Sequence, residues 1–301
     1  MKKAILAIAI GALTLGANAG DWGKAPVYDK APIEECIDLG GNIGVGYHTD
    51  YIYKGYRLGR DTISSHVNYT FSNLPVPVTV GVDYYNVING LVNLDDLAIY
   101  AVADLGNHAG FDFKLSYTQR FYPEVSPAGA LGTVTPNANL LGSTGEIGLH
   151  VARDLGFVTA KADLFYNLNS PADFVGGPNS IGNNRDTGAW FYDFGLEKAV
   201  AVGPANLVLN AGMAYSDNYF GGNMNGGGLA ERASGWNHYY IRASLPIELN
   251  CRTTLTPYIG YNGAPDGWIQ DGNGGGGQSG GAAGFNQSDI LHGGVSLNVS
   301  F

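Results

Sequence analysis

Asp289-Ile290-Leu291-His292-Gly293-Gly294-Val295-Ser296-Leu297-Asn298-Val299-Ser300-Phe301, the last thirteen residues of the chain, alternate almost without exception. One parity carries Leu291, Val295, Leu297, Val299 and Phe301, and the other carries His292, Gly294, Ser296, Asn298 and Ser300. Side chains along a strand point to opposite faces in turn, so this segment presents one apolar and one small polar face. A sheet with lipid on one side and a wet lumen on the other needs that pattern. A half-buried edge strand of a soluble sandwich would alternate in the same way, so the other end of the chain must separate the two.

Residues 1–19 begin with Lys2 and Lys3, continue through an apolar run from Ala4 to Leu15 and close on the small residues Ala17, Asn18 and Ala19. This reads as a secretory signal peptide cut after Ala19, too short to span a bilayer as a helix. The expected organisation is a signal peptide over 1–19, a periplasmic N-terminal segment over 20–39 and a barrel over 40–301. No later stretch has eighteen consecutive apolar residues. An exported chain of this kind meets a bilayer as a closed barrel, because lipid cannot satisfy an open sheet edge.

Composition narrows the classes further. The chain has 46 Gly, 19 Tyr and 12 Phe with 14% charged residues, a mixture suited to strands, interfacial rings and long loops. Without Lys2 and Lys3 it holds 14 basic residues against 26 acidic ones, a formal charge of −12. Phosphate binding needs clustered cations, so nucleic acid is not an expected partner.

Alternation bounded by turn residues predicts an all-β, up-and-down antiparallel transmembrane barrel of about twelve strands, with ten or fourteen as the neighbouring counts. The strands fall near 41–54, 61–72, 76–87, 94–105, 110–121, 144–154, 157–167, 188–200, 206–217, 236–248, 252–262 and 289–301. Short connections at 72–75, 106–109, 154–156, 202–205 and 250–251 alternate with long ones at 122–143, 168–187, 218–235 and 263–288. Two tighter loops, 55–59 and 88–93, fall on the long side. Short periplasmic turns and long outer loops are the arrangement such barrels adopt.

Val76, Val78, Val80, Val82 and Tyr84, with Leu97, Ile99, Ala101, Ala103 and Leu105, mark the lipid face. Aromatic residues gather at strand ends: Tyr51, Tyr53, Tyr84, Tyr117, Tyr166, Trp190, Tyr192, Tyr215, Trp236, Tyr258 and Tyr261 toward the long loops, and Tyr69, Phe71, Phe111 and Phe157 toward the short turns. Amphipathic rings suit the two membrane interfaces. The opposite parity places Asp50, Asp83, Lys114, Arg120, Glu146, Lys161, Asp163 and Arg242 on the lumen wall, with Lys54, Asp96, Asp112, Asp193 and Glu197 beside them. An excess of lumenal carboxylates favours cations or neutral solutes over anions. Tyr85, Tyr100 and Tyr240 share that parity and could narrow the interior.

Five of the six histidines, His48, His66, His150, His238 and His292, fall on the inward parity. A first hairpin centred near Arg57 would set His48 opposite His66, with Asp50 close by. Such a pair has the chemistry of a metal or pH site, yet two ligands do not make a metal centre, and tolerated polar lumen residues are the preferred reading. No metal and no cofactor is assigned. Cys36 and Cys251 both fall at the short-turn rim, where an oxidising compartment favours a disulfide between them; two free thiols are the alternative. The long loops are rich in Gly, Asn and Ser, most of all over 271–284, and lack a phosphate-binding pattern. Trp268 and Phe285 are the aromatic residues there that could touch a sugar or a partner surface.

As a whole the chain resembles bacterial outer-membrane β-barrels, and Val295 to Phe301 is similar to the C-terminal signature by which the barrel-assembly machinery recognises its clients. That resemblance implies the outer membrane as location, and outer-membrane lipid and the assembly machinery, through Phe301, as partners. Thr49-Asp50-Tyr51-Ile52-Tyr53-Lys54-Gly55 also resembles the Ser/Thr-Asp-Tyr-x-x-Arg/Lys-Gly opening of a family of exported barrel proteins whose function is not established. Such a barrel is expected to act as a porin-like channel for passive diffusion or uptake of small solutes. The alternatives are a structural or adhesive barrel working through its surface loops and an outer-membrane lipid hydrolase. Tyr117-Thr118-Gln119 resembles one fragment of outer-membrane phospholipases, but their His-x-Ser-Asn-Gly segment is missing, so no catalytic residue is assigned. Oligomeric state is not readable from one chain.

Overall fold

The structure is a computed structural model that describes residues 39–89, 95–121, 143–168, 189–203, 205–217, 219, 234–265, 268 and 289–301. The signal peptide, the 20–39 segment up to residue 38, Cys36 and Phe285 lie outside these residues, as does most of the four long connections.

Thirteen strands follow one another: β1 (Gly41–Tyr53), β2 (Tyr56–Phe71), β3 (Val78–Asn89), β4 (Asp96–His108), β5 (Phe111–Phe121), β6 (Ser143–Asp154), β7 (Thr159–Asn167), β8 (Ala189–Val202), β9 (Ala205–Asp217), β10 (Ser234–Ser244), β11 (Ile247–Asn250), β12 (Thr253–Gly263) and β13 (Asp289–Ser300). Consecutive strands pair antiparallel except β10 and β11, which both pair with β12; β10 also pairs with β9, and β13 returns to β1. The sheet is thereby closed into an up-and-down barrel without a free edge. Its staves number twelve, because β10 and β11 are one stave interrupted at Leu245–Pro246. Against β12 the register runs unbroken from Tyr239↔Gly263 through Ser244↔Tyr258 to Ile247↔Leu255. Pro246 has no N–H to give the ladder, which breaks the strand without shifting it.

The closing seam bears out the alternation of the last strand. Ile43, Val45 and Tyr47 of β1 stand opposite Val299, Leu297 and Val295, all on the outer face. On the inner face Asn42 meets Ser300 through a 3.4 Å side-chain bond. Phe301 locks the corner: its backbone N–H donates to the Gly41 carbonyl at 2.9 Å, and its ring lies where a Cβ on Gly41 would stand.

Outer-face side chains remain exposed and apolar around the wall, among them Ile63, Val67, Ile99, Leu115, Phe194, Leu196, Ile241 and Ile259. Water would penalise such a surface, and a bilayer would not. At the long-loop rim the rings of Tyr166, Trp190, Tyr192, Tyr215 and Trp236 pass from one to the next at 4.9–6.2 Å. Trp268 extends that belt by stacking on Trp236 at 5.8 Å and meeting Tyr239 at 6.3 Å, so its ring joins the outer face.

Two expectations need correction. The β4–β5 turn is Ala109–Gly110, one step later than read from sequence, because a bulge at Asp104/Gly106 lengthens β4. More consequentially, β2 begins at Tyr56, so 55–59 is no loop: the first hairpin turns on Lys54 and Gly55, at φ 48° and 84°, the two positive values a tight primed turn requires.

Candidate functional site

The tip of the β1–β2 hairpin folds into the barrel and reaches the far wall. Where it lands, the Lys54 ammonium sits 2.7 Å from the Glu146 carboxylate on β6. The same nitrogen lies 3.3 Å from the centroid of the Phe165 ring on β7, 4.7 Å from Phe191 on β8 and 4.6 Å from Tyr219, just past β9. The Lys54 carbonyl accepts a 2.9 Å bond from the side-chain amide of Asn237 on β10. Gly55 passes so close to the His238 ring that any Cβ there would collide with it.

Tyr51 and Tyr53 brace the approach. The Tyr51 hydroxyl donates to Asp96 of β4, whose carboxylate also holds Arg120 of β5 at 2.5 Å. The Tyr51 ring stacks on Tyr85 of β3 with centroids 4.4 Å apart. Arg120 lies over the Tyr53 ring at 4.3 Å, the Tyr53 hydroxyl meets that of Tyr219 at 3.0 Å, and Tyr219 in turn donates to Glu146. Asp50 pairs with Arg57 at 2.8 Å, tying the two limbs of the hairpin together. Asp96 and Asn237 are 0% exposed, Phe191 and Tyr219 1%, and His238 3%. Side chains lining a water-filled pore would not be so dry, so at this level the lumen is filled by the hairpin and the groups that receive it.

These contacts overturn the membrane-interface reading of Tyr51, Tyr53 and Tyr258. A bulge at Tyr51/Ile52 changes the register of β1 and carries the first two inward. Tyr258 faces the lumen too, bonded to His48 at 2.8 Å. The opposition of His48 and His66 is likewise overturned, because the early turn shifts the register: His48 stands opposite Thr62, and His66 opposite Gly44. Each ring bonds a separate polar neighbour, His48 to Ser64 at 2.8 Å and His66 to Asn42 at 2.8 Å. Among the described residues no group of three or more His, Cys, Asp or Glu is placed to hold a metal.

The remaining lumen candidates form a wall beyond the hairpin tip. Lys114, His150, Asp163 and Asp193 are successive cross-strand neighbours on β5, β6, β7 and β8. Lys161 pairs with Glu197 at 2.7 Å, Lys114 lies 3.8 Å from Asp104, and Arg242 stacks over Tyr258 at 4.1 Å. Asp83 stands beside His66. Tyr240 donates to Asp193 at 2.8 Å and occupies room left by Gly195 and Gly212. The structure thus divides the predicted lumen set: Asp50, Arg120 and Glu146 belong to the closure, and Asp83, Lys114, Lys161, Asp163 and Arg242 to the wall.

One arrangement has the look of hydrolase chemistry. Ser116 Oγ lies 2.9 Å from His150 Nε2, and His150 Nδ1 lies 2.7 Å from Asp163. A working triad also needs donors aimed at a developing oxyanion. Ser116 stands in the middle of continuous β4–β5 and β5–β6 ladders, where backbone N–H groups are taken up by neighbouring strands. His48 with Ser64 repeats the Ser–His contact elsewhere in the lumen, where it packs beside Gly46.

Sequence reading placed the hairpin residues on the right strands but missed Tyr219, Asn237 and His238 as their receptors. The legible signal was Gly55 beside Lys54, a primed-turn pair too short for an outer loop.

No protein-family model matches the chain, and no curated protein matches its sequence. Among solved structures it is similar to an outer membrane channel from Pseudomonas putida F1, at 12% identity and TM-score 0.49, covering 91% of this chain and all of that one. It is also similar to the KdgM porin, at 6% identity and TM-score 0.45, covering 86% and 99%, and to the NanC porin, at 10% and 0.45, covering 87% and 98%.

Proposed function

We propose that this chain is an outer-membrane channel for small solutes, cation- or neutral-preferring, whose lumen is shut by its own first hairpin. The observation that carries the reading is the pairing of a closed twelve-stave barrel, apolar outside, with a charged inner wall that the β1–β2 tip crosses. Residues 1–19 serve as the export signal in this reading, and Phe301 as the contact for barrel assembly.

Cation preference follows from which wall charges are neutralised. Lys161 is matched by Glu197 and Lys114 lies near Asp104, which leaves Arg242, over Tyr258, against Asp83, Asp163 and Asp193, whose nearest described partners are histidine or tyrosine. Reversal potential under a salt gradient, measured in a planar bilayer on Tyr51→Ala/Lys54→Ala, which frees the lumen, tests this. The expected result is a cation-selective potential that falls toward zero on adding Asp83→Asn/Asp163→Asn; an anion-selective potential would overturn it.

Cys251 is disulfide-bonded. A bond from Cys251 to Cys36 would moor the N-terminal segment at the short-turn rim. Cys36→Ser should then abolish the mobility difference between reduced and non-reduced protein on a gel.

A further inference from the structure

We infer that Phe165, Phe191, Tyr219 and Glu146 form a recognition site for small alkylammonium cations, and that Lys54 occupies it as a tethered stand-in for such a solute. This deepens the channel reading and rests on it for the consequence that a competing solute would release the hairpin.

The site has the parts ammonium recognition needs. Three barrel-side rings surround the Lys54 nitrogen at 3.3–4.7 Å from their centroids, with the hairpin's own Tyr53 ring farther off at 5.8 Å, all inside the distance at which the negative face of a ring attracts a cation. A carboxylate at 2.7 Å supplies the counter-charge. The walls belong to the barrel and not to the hairpin: Phe165 and Glu146 lie on β7 and β6, Phe191 on β8, and Tyr219 follows β9. Phe165 and Phe191 are direct cross-strand partners, and Phe191 packs edge-on against Tyr219 at 5.5 Å, so the rings hold one another in place whatever fills the middle. Glu146 is oriented by the Tyr219 hydroxyl. Lys54, by contrast, arrives on a two-residue turn, the part of the assembly that can leave without unpairing a stave.

The chemistry sets the ligand class. The rings attract any compact cation, but the Glu146 carboxylate suits a group that donates hydrogen bonds, as a primary ammonium does. An alkyl chain would lie where the Lys54 methylenes lie now, and a neutral alcohol of the same length would forfeit both attractions.

The test uses the full-length folded protein in detergent. Lys54→Ala empties the site, and n-propylammonium supplies the Cγ-to-Nζ portion that alanine lacks. Isothermal titration should show Lys54→Ala binding n-propylammonium at least tenfold more tightly than the wild type does, with n-propanol and sodium giving no heat at the same concentrations. Adding Phe165→Ala or Glu146→Gln should abolish that gain. Equal binding by wild type and Lys54→Ala, or equal binding of n-propanol, would overturn the assignment. If Lys54→Ala fails to fold, amide exchange on the wild type decides: n-propylammonium and not n-propanol should speed exchange over 51–57, and no change would overturn it. Ammonium binding without current in any variant would uphold the site and refute the channel; current without ammonium binding would do the reverse.

Discussion

Two turns in this barrel have nearly the same backbone and opposite surroundings. Lys54–Gly55 joins β1 to β2 at φ 48° and 84°, and Ala109–Gly110 joins β4 to β5 at φ 54° and 83°. A Cβ on Gly110 would meet nothing within 4 Å, whereas a Cβ on Gly55 would strike His238. Local sequence makes both hairpins, but it does not say which one goes inside. That is decided by Tyr51 and Lys54, which carry polar groups to Asp96 and Glu146 already waiting on the wall, and by the open space inside a twelve-stave barrel.

The largest separation between the two regions should come from buried charge. Asp96→Ala leaves Arg120 facing a dry site without its carboxylate and should cost about 3–5 kcal/mol. Asp112→Ala, which removes only an exposed 2.8 Å bond to Asn107 beside the other turn, should stay within about 0.5 kcal/mol. Urea unfolding in detergent micelles checks both, and equal losses would mean that the hairpin contacts contribute nothing.

A smaller separation is expected from the turns themselves. Gly110→Ala should cost about 1 kcal/mol from its left-handed backbone alone. Gly55→Ala carries the same strain plus displacement of the His238 ring, and should lose about twice as much while raising amide exchange over 51–57. If the two variants behave alike, the tip does not rest against His238.

Most of the architecture was readable because a membrane barrel writes a period of two into nearly every stave. Val78, Val80, Val82 and Tyr84 fall on the face predicted for them, opposite Ala103, Ala101, Ile99 and Leu97. Strand ends were less readable, since bulges at Tyr51/Ile52 and Asp104/Gly106 insert residues that periodicity cannot foresee. The site was legible by face and not by partner. Glu146 and Arg120 meet Lys54 and Tyr51 across the barrel, and no local pattern encodes which residues meet there. His48 and His66 show the cost of a small error in the turn: moving the hairpin centre from Arg57 to between Lys54 and Gly55 separates them.

The smallest effect should come from Ser116. Ser116→Ala removes the hydroxyl facing His150 and should leave conductance and stability nearly unchanged, and a fluorophosphonate probe should not label the wild type. Labelling lost on that substitution would give the lumen wall a nucleophile and make it the active region of the pair.

The central claim is that the β1–β2 tip closes the lumen. Its most direct test is single-channel recording of the wild type beside Tyr51→Ala/Lys54→Ala, each refolded and inserted in planar bilayers. A mostly closed wild type and a steadily conducting, cation-leaning variant are the predicted results. The same steady current through both would show that the hairpin is no barrier, and silence in both would show that the barrel is no channel.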